Sequence, residues 1–134
     1  MSTDLHTNLH QCHRETMTQD AFWRDQIAEW QAELKQMIDE LPEIEKTLRQ
    51  HAQALEDHAA SIGADETAVS RHEAALAEYE RGGQGEDLIS MARSHGTEIG
   101  RHRQHEDAHE RIRRHHYGLC AKWKLLRKAI GEAM

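Results

Sequence analysis

The sequence contains little of what builds a thick hydrophobic core or a disulfide framework. Its 134 residues include 1 proline, 2 cysteines and 4% aromatic side chains. Two cysteines are too few for a disulfide scaffold, and no apolar run is long enough to cross a membrane. Residues 1–17 also lack the hydrophobic stretch of a signal peptide. We therefore expect a cytoplasmic protein without a membrane partner.

What the chain does contain is charge and histidine. Charged residues make up 31% and hydrophobic residues 37%, a composition typical of helices with narrow apolar stripes. Such stripes support a helix-packing seam rather than a thick core, so we expect one domain that forms a homodimer. The net charge of −7 argues against nucleic acid as the partner, whereas a protein partner fits. Protonation of all 12 histidines would change that charge from −7 to +5.

The spacing of apolar residues predicts three helices. Residues 18–41 carry apolar side chains at alternating intervals of four and three, which is typical of an amphipathic helix. Pro42 favours a new helix start or a kink, and a second helix is predicted over 42–81. A glycine-rich loop at residues 81–86 leads into a third helix, predicted over 86–131.

The domain boundaries follow from these helices. Residues 1–17 are predicted to be a flexible, histidine-containing segment, and residues 18–134 to be a single helical bundle domain. Gly63 and Gly96 leave two possibilities open, a capped break or a continuous helix, and the unbroken heptad phase favours continuity at Gly63.

Four columns of a seven-residue repeat run along the second and third predicted helices. A period of seven returns to nearly the same helix face every two turns, so the columns mark a packing seam. The aliphatic column of the second helix consists of Leu41, Leu48, Leu55, Ile62, Val69 and Leu76. Its other column has histidine and aspartate at its centre and consists of Ile44, His51, His58, Asp65, His72 and Tyr79. The histidine column of the third helix consists of Leu88, His95, His102, His109, His116, Trp123 and Ile130. The neighbouring column, which we call the companion column, consists of Met91, Glu98, His105, Ile112, Leu119 and Leu126. Histidine stands where a coiled coil normally places leucine.

Folding the chain about Gly83-Gln84 aligns these columns as an antiparallel hairpin. The numbers of facing residues then sum to 167, which pairs apolar with apolar and histidine mostly with histidine. The predicted polar pairs are His72 with His95, Asp65 with His102, His58 with His109, and His51 with His116. The predicted fold is therefore an all-α, coiled-coil-like hairpin plus an N-terminal amphipathic helix, forming a three-helix or a dimeric four-helix-type bundle.

Histidine columns inside a bundle predict a transition-metal site. Neutral imidazole binds zinc, iron, copper or nickel, and zinc takes three or four ligands. Only the middle layers of the hairpin offer that many ligands within one chain. The preferred ligands are His58, His105 and His109, with Asp65, His102 or Glu106 completing the set. Further candidate metal or layer residues are His51, His116, His72 and His95.

Other hypotheses stand beside metal binding. The chain could be a structural coiled-coil module whose buried histidines set the register or sense pH, because imidazoles repel one another once charged. A bound haem is a further alternative, although no haem attachment motif is present. No Ser–His–Asp arrangement, phosphate loop or dinucleotide fingerprint is visible, so the sequence favours a protein that is not an enzyme. Metal binding is the favoured prediction.

Overall fold

The computed structural model describes residues 2–82 and 88–134, and over these residues the protein is helical. α1 spans Ser2–Glu80 and α2 spans Leu88–Gly131. No strand occurs in either described range. The predicted all-α fold is confirmed.

The chain divides into two compact units, residues 1–51 (unit 1) and residues 52–134 (unit 2). The glycine-rich loop predicted at residues 81–86 falls mostly outside the described residues, as does the helix start predicted at residue 86. Inside the described part, Gly82 follows α1 with a positive φ of 78°. Its N–H donates to the Tyr79 carbonyl at 3.0 Å, which closes the last turn of α1.

The helices predicted over 18–41 and 42–81 form one continuous helix in the structure. α1 passes through Pro42. Proline removes one backbone hydrogen bond, but it does not have to end a helix whose seam continues on both sides. The heptad phase is unbroken across Pro42, so the same helix face remains the apolar one before and after it.

The two glycines at which the sequence allowed a helix break both lie inside helices. Gly63 belongs to α1 and Gly96 to α2. Residues 2–17 also lie within α1. The flexibility of that segment and the domain boundary at residue 18 remain predictions.

Unit 1 leaves its apolar face exposed. We call this face the apolar stripe, and its side chains are each between 48% and 58% exposed: Trp23, Ile27, Trp30, Leu34, Met37 and Leu41. Polar pairs such as Lys35–Asp39, at 3.7 Å, occupy other positions of the same segment. The described part of neither helix holds a stretch that is both apolar and long enough to cross a membrane.

Unit 2 pairs the last part of α1 with α2 in antiparallel fashion. Its interhelical contacts join early residues of one segment to late residues of the other: His58 with His109 and His72 with Glu98. Half-buried aliphatic side chains accompany them, and these are Ile62, Leu76, Met91, Ile112 and Leu119. No residue in the described ranges is fully buried, so unit 2 is held by a seam and not by a core.

We expect alanine at Gly63 and at Gly82 to change stability in opposite directions. A Cβ at Gly63 would meet nothing within 4 Å, so Gly63→Ala should stabilise the helix by about 1 kcal/mol. Gly82 has a left-handed φ of 78°, so Gly82→Ala should destabilise by about 1 kcal/mol. Thermal unfolding followed by circular dichroism at one fixed protein concentration measures both shifts. Shifts of the same sign would contradict the assignment of these two conformations.

Candidate functional site

A line of polar contacts crosses the seam of unit 2, and we call it the interhelical polar network. It joins His58 to His109, Ser61 to His105, Asp65 to both His105 and Arg101, and His72 to Glu98. The α1 members follow one another at intervals of three, four and seven, so they lie on one helix face. The heptad repeat therefore places His58, Asp65 and His72 against α2, and Ser61 lies beside that column.

His105 lies at the centre of this network and uses both ring nitrogens. Its Nδ1 is 2.7 Å from Asp65 Oδ2, and its Nε2 is 2.8 Å from Ser61 Oγ. The side chains of His105 and Asp65 are 22% and 23% exposed, so both are partly withdrawn from water. The guanidinium of Arg101 lies 3.9 Å from the other oxygen of Asp65. Because a carboxylate only accepts hydrogen bonds, Asp65 selects the tautomer of His105 that carries its proton on Nδ1.

His58 and His109 form a ring pair next to His105. His58 Nε2 is 3.3 Å from His109 Nδ1, and the two rings stack at 5.5 Å with 25° between their planes. His58 also meets the His105 ring edge-on, at 6.0 Å and 88°. A hydrogen bond between two imidazoles needs at least one neutral ring, because a doubly protonated pair has donors only.

Glu98 is the most buried carboxylate of the network. It contacts His72 Nδ1 across the seam, and its side chain is only 14% exposed. His95, one turn before it on α2, lies 3.9 Å away and is 72% exposed. A half-buried carboxylate needs a donor to offset its lost hydration, and His72 supplies one.

An open groove of about 1070 Å³ runs beside the network. Ile62 and Val69 form part of its floor, and Asp65, His105 and His109 lie along it. Glu110 is at its edge, where hydrogen bonds from Arg113, together with Arg114, lower the pKa of Glu110 to about 2. Glu110 is therefore ionised at physiological pH, and two guanidinium groups neutralise its charge.

The predicted pairs agree with the structure only in part. His58 with His109 is confirmed, but His72 pairs with Glu98 rather than His95. Asp65 pairs with His105 rather than with His102.

The histidine column of α2 is turned toward solvent. His95, His102, His109 and His116 are all classed as exposed. The column that faces α1 is instead the companion one, with Met91, Glu98, His105, Ile112 and Leu119 half-buried. Glu106 is exposed and lines the groove. His116 lies next to Cys120, with Nε2 and Sγ 3.4 Å apart, and its predicted pairing with His51 of unit 1 remains a prediction.

The prediction of metal binding is wrong for the residues the structure describes. Within 2–82 and 88–134, no group of three or more His, Cys, Asp or Glu side chains could hold a metal ion. The donor atoms do not converge on a common point, because the ring nitrogens in the network face a carboxylate, a hydroxyl or another ring. The alternative of buried histidines also needs correction, since those in the network are half-buried or exposed.

Sequence reasoning missed Ser61 and Arg101 as members of this site. Ser61 is one turn before Asp65 on the same helix face. The numbers of Ser61 and His105 sum to 166, within one of the sum of 167 that marks facing residues in the predicted hairpin. That agreement was the signal in the sequence that could have identified Ser61.

Comparison with protein-family models, with curated proteins and with solved structures finds no match for this chain.

Proposed function

We propose that this protein is a helical interaction module that pairs with a second copy of itself through the apolar stripe of unit 1. The observation that carries the proposal is the stripe itself, in which six large side chains at heptad spacing are each about half exposed. A contiguous apolar patch of this kind marks an interaction surface. Trp23 and Trp30 are the residue type that most often anchors an interface.

The exposed area of the chain supports a partner of substantial size. The accessible surface is 12088 Å², whereas a folded monomer of this mass is expected to expose about 7200 Å². The excess is roughly 4900 Å², which is more than the total area buried in a standard protein interface, about 1600 Å². One further helical partner can therefore cover the stripe fully.

A second copy is the occupant that fits best. Spacing that alternates four and three is matched most closely by another helix with the same spacing, because knobs of one seam enter the holes of the other. The same stripe on a second copy supplies that pattern, and a two-fold axis places each stripe against its equal. The two stripes then pair as a two-stranded coiled coil, to which each chain contributes the unit 1 part of α1.

The interhelical polar network has a supporting role in this proposal. Polar groups at seam positions allow only those registers in which each of them finds a partner. Asp65 with His105 and Glu98 with His72 meet that condition. A shift of one helix by one heptad would place Asp65 opposite either Ile112 or Glu98, so the carboxylates would lose their histidine partners. The network thus fixes how unit 2 pairs, while the stripe provides the association.

We also propose that the protein acts in the cytoplasm. Cys12 and Cys120 are both free thiols in the structure. Free thiols are typical of reducing compartments, where disulfides rarely form. Alkylation of both cysteines in protein extracted under denaturing conditions without reductant tests this assignment.

Sedimentation equilibrium tests the proposed association directly. We expect a mass of twice the 15.5 kDa of one chain, with dissociation only toward the low end of a range from about 1 to 100 µM. Helix content should fall together with mass on dilution, because the stripe loses its partner. A mass of one chain throughout that range would overturn the proposal, and a larger closed oligomer would replace the dimer.

A further inference from the structure

We propose that Ser61 is an activated nucleophile for acyl transfer, with His105 as its general base and Asp65 as the residue that positions the base. His105 Nε2 is 2.8 Å from Ser61 Oγ, and its Nδ1 is 2.7 Å from Asp65 Oδ2. This is the linear carboxylate–imidazole–hydroxyl arrangement that activates a serine, and it is recognised by geometry and not by sequence order. All three residues belong to unit 2, so the site does not depend on the proposed dimer.

The protonation states follow from the contacts. His105 Nδ1–H donates a hydrogen bond to Asp65, which leaves Nε2 as the acceptor for the hydroxyl proton of Ser61. Arg101, 3.9 Å from Asp65, places a positive charge beside the carboxylate. His105 and Asp65 come from different helices, so pairing of α1 with α2 is what assembles the site.

The backbone of two helices offers few free N–H groups for a developing oxyanion. Ring N–H groups of neighbouring histidines are therefore the available donors. His58 lies one turn before Ser61 on the same helix face, and its ring is 6.0 Å from that of His105.

The groove beside His105 indicates the substrate class. Its floor includes the aliphatic side chains of Ile62 and Val69, which suit an acyl chain. Its walls carry carboxylates from both helices: Asp65, Glu66, Glu98, Glu106, Asp107 and Glu110. Three of these already have partners, Asp65 in His105 and Arg101, Glu98 in His72, and Glu110 in Arg113 and Arg114. The aliphatic floor therefore decides the class, and the substrate we infer is a neutral carboxylic ester.

The reaction balances with water as the only co-reactant. Ser61 Oγ bonds to the acyl carbon while the bond from that carbon to the alkoxy oxygen breaks. The hydroxyl proton passes to His105 Nε2 and then to the departing alcohol. Water next adds to the acyl-serine with His105 again accepting a proton, which releases the carboxylic acid and restores Ser61.

The test uses the full chain and diethyl p-nitrophenyl phosphate, a neutral probe that leaves a stable phosphoryl group on an activated serine. We expect release of p-nitrophenolate and a single adduct, located on Ser61 by peptide mass spectrometry. Ser61→Ala should abolish the adduct, and Asp65→Asn should slow it by at least about tenfold. Ser70 is the matched control, since it lines the groove about 13 Å farther along α1 than Ser61, and Ser70→Ala should react like the parent.

Further readouts separate activation from a structural role. Only neutral imidazole accepts a proton, so the labelling rate should rise with pH through the range in which histidine titrates. His105→Gln retains a polar side chain but should lose that pH dependence together with the rate. Circular dichroism confirms that each variant is folded before rates are compared. Adducts spread over histidines or over several serines, or equal rates for Ser61→Ala and Ser70→Ala, would overturn the proposal.

Discussion

Leu34→Asp is expected to separate the paired protein into single chains. Leu34 lies in the middle of the apolar stripe and is 53% exposed in the single chain. Pairing would bury the new carboxylate of each copy against the partner's apolar side chains, without a donor to receive it. Burying such a group costs about 3 kcal/mol or more, which corresponds to a Kd weaker by at least roughly 100-fold.

Ala32→Asp is the matched control for that change. Ala32 lies on the opposite face of the same turn, about 160° around the helix from Leu34, so the added charge stays in water. Sedimentation equilibrium should give the mass of one chain for Leu34→Asp and of two chains for Ala32→Asp. If both variants remain paired, or both dissociate, the apolar stripe is not the interface.

Replacing His72 and Glu98 together by leucine should make unit 2 more stable. The pair occupies seam positions that a coiled coil normally fills with aliphatic residues, and the Glu98 side chain is only 14% exposed. Exchange of a half-buried polar pair for well-packed apolar residues is often stabilising, here by roughly 1 kcal/mol. Removing one partner has the opposite effect, so Glu98→Ala should destabilise by about 1–2 kcal/mol.

Thermal unfolding at a fixed protein concentration measures these two effects, and His95→Leu is the control. His95 is 72% exposed on the same helix, so the same substitution there should change stability little. A double leucine variant that is less stable than the parent would mean that His72 and Glu98 hold unit 2 together, rather than setting its register at a cost.

The sequence predicts the helical class and the antiparallel pairing well, because both depend on periodicity. The heptad columns continue over many turns, and the hairpin axis derived from them places His58 against His109, as the structure does. Periodicity cannot say which of two adjacent columns of a helix turns toward its partner. Ligand chemistry favours the histidine column, but Glu98 and His105 of the neighbouring column find partners in His72 and Asp65.

The candidate site was harder to predict than the fold. Its centre combines Ser61 and Asp65 of one helix with His105 of the other, and the short sequence motifs that mark catalytic sites in other folds do not apply to such a combination. The metal prediction failed for a related reason. Spacing shows that imidazoles lie in neighbouring layers, but whether their nitrogens converge depends on side-chain rotamers, which a sequence does not give.

The seam of unit 2 has an energetic consequence of its own. Its contacts follow one another along two helices, and no described residue is fully buried, so each layer interacts only with the layers above and below it. The free energy of folding in such an arrangement is close to the sum of the stabilities of the single layers and of the contacts between neighbouring layers, as it is in repeat proteins. Unit 2 can therefore open from one end while the other end stays paired. Whole heptads could be gained or lost from such a chain without disturbing the remaining layers.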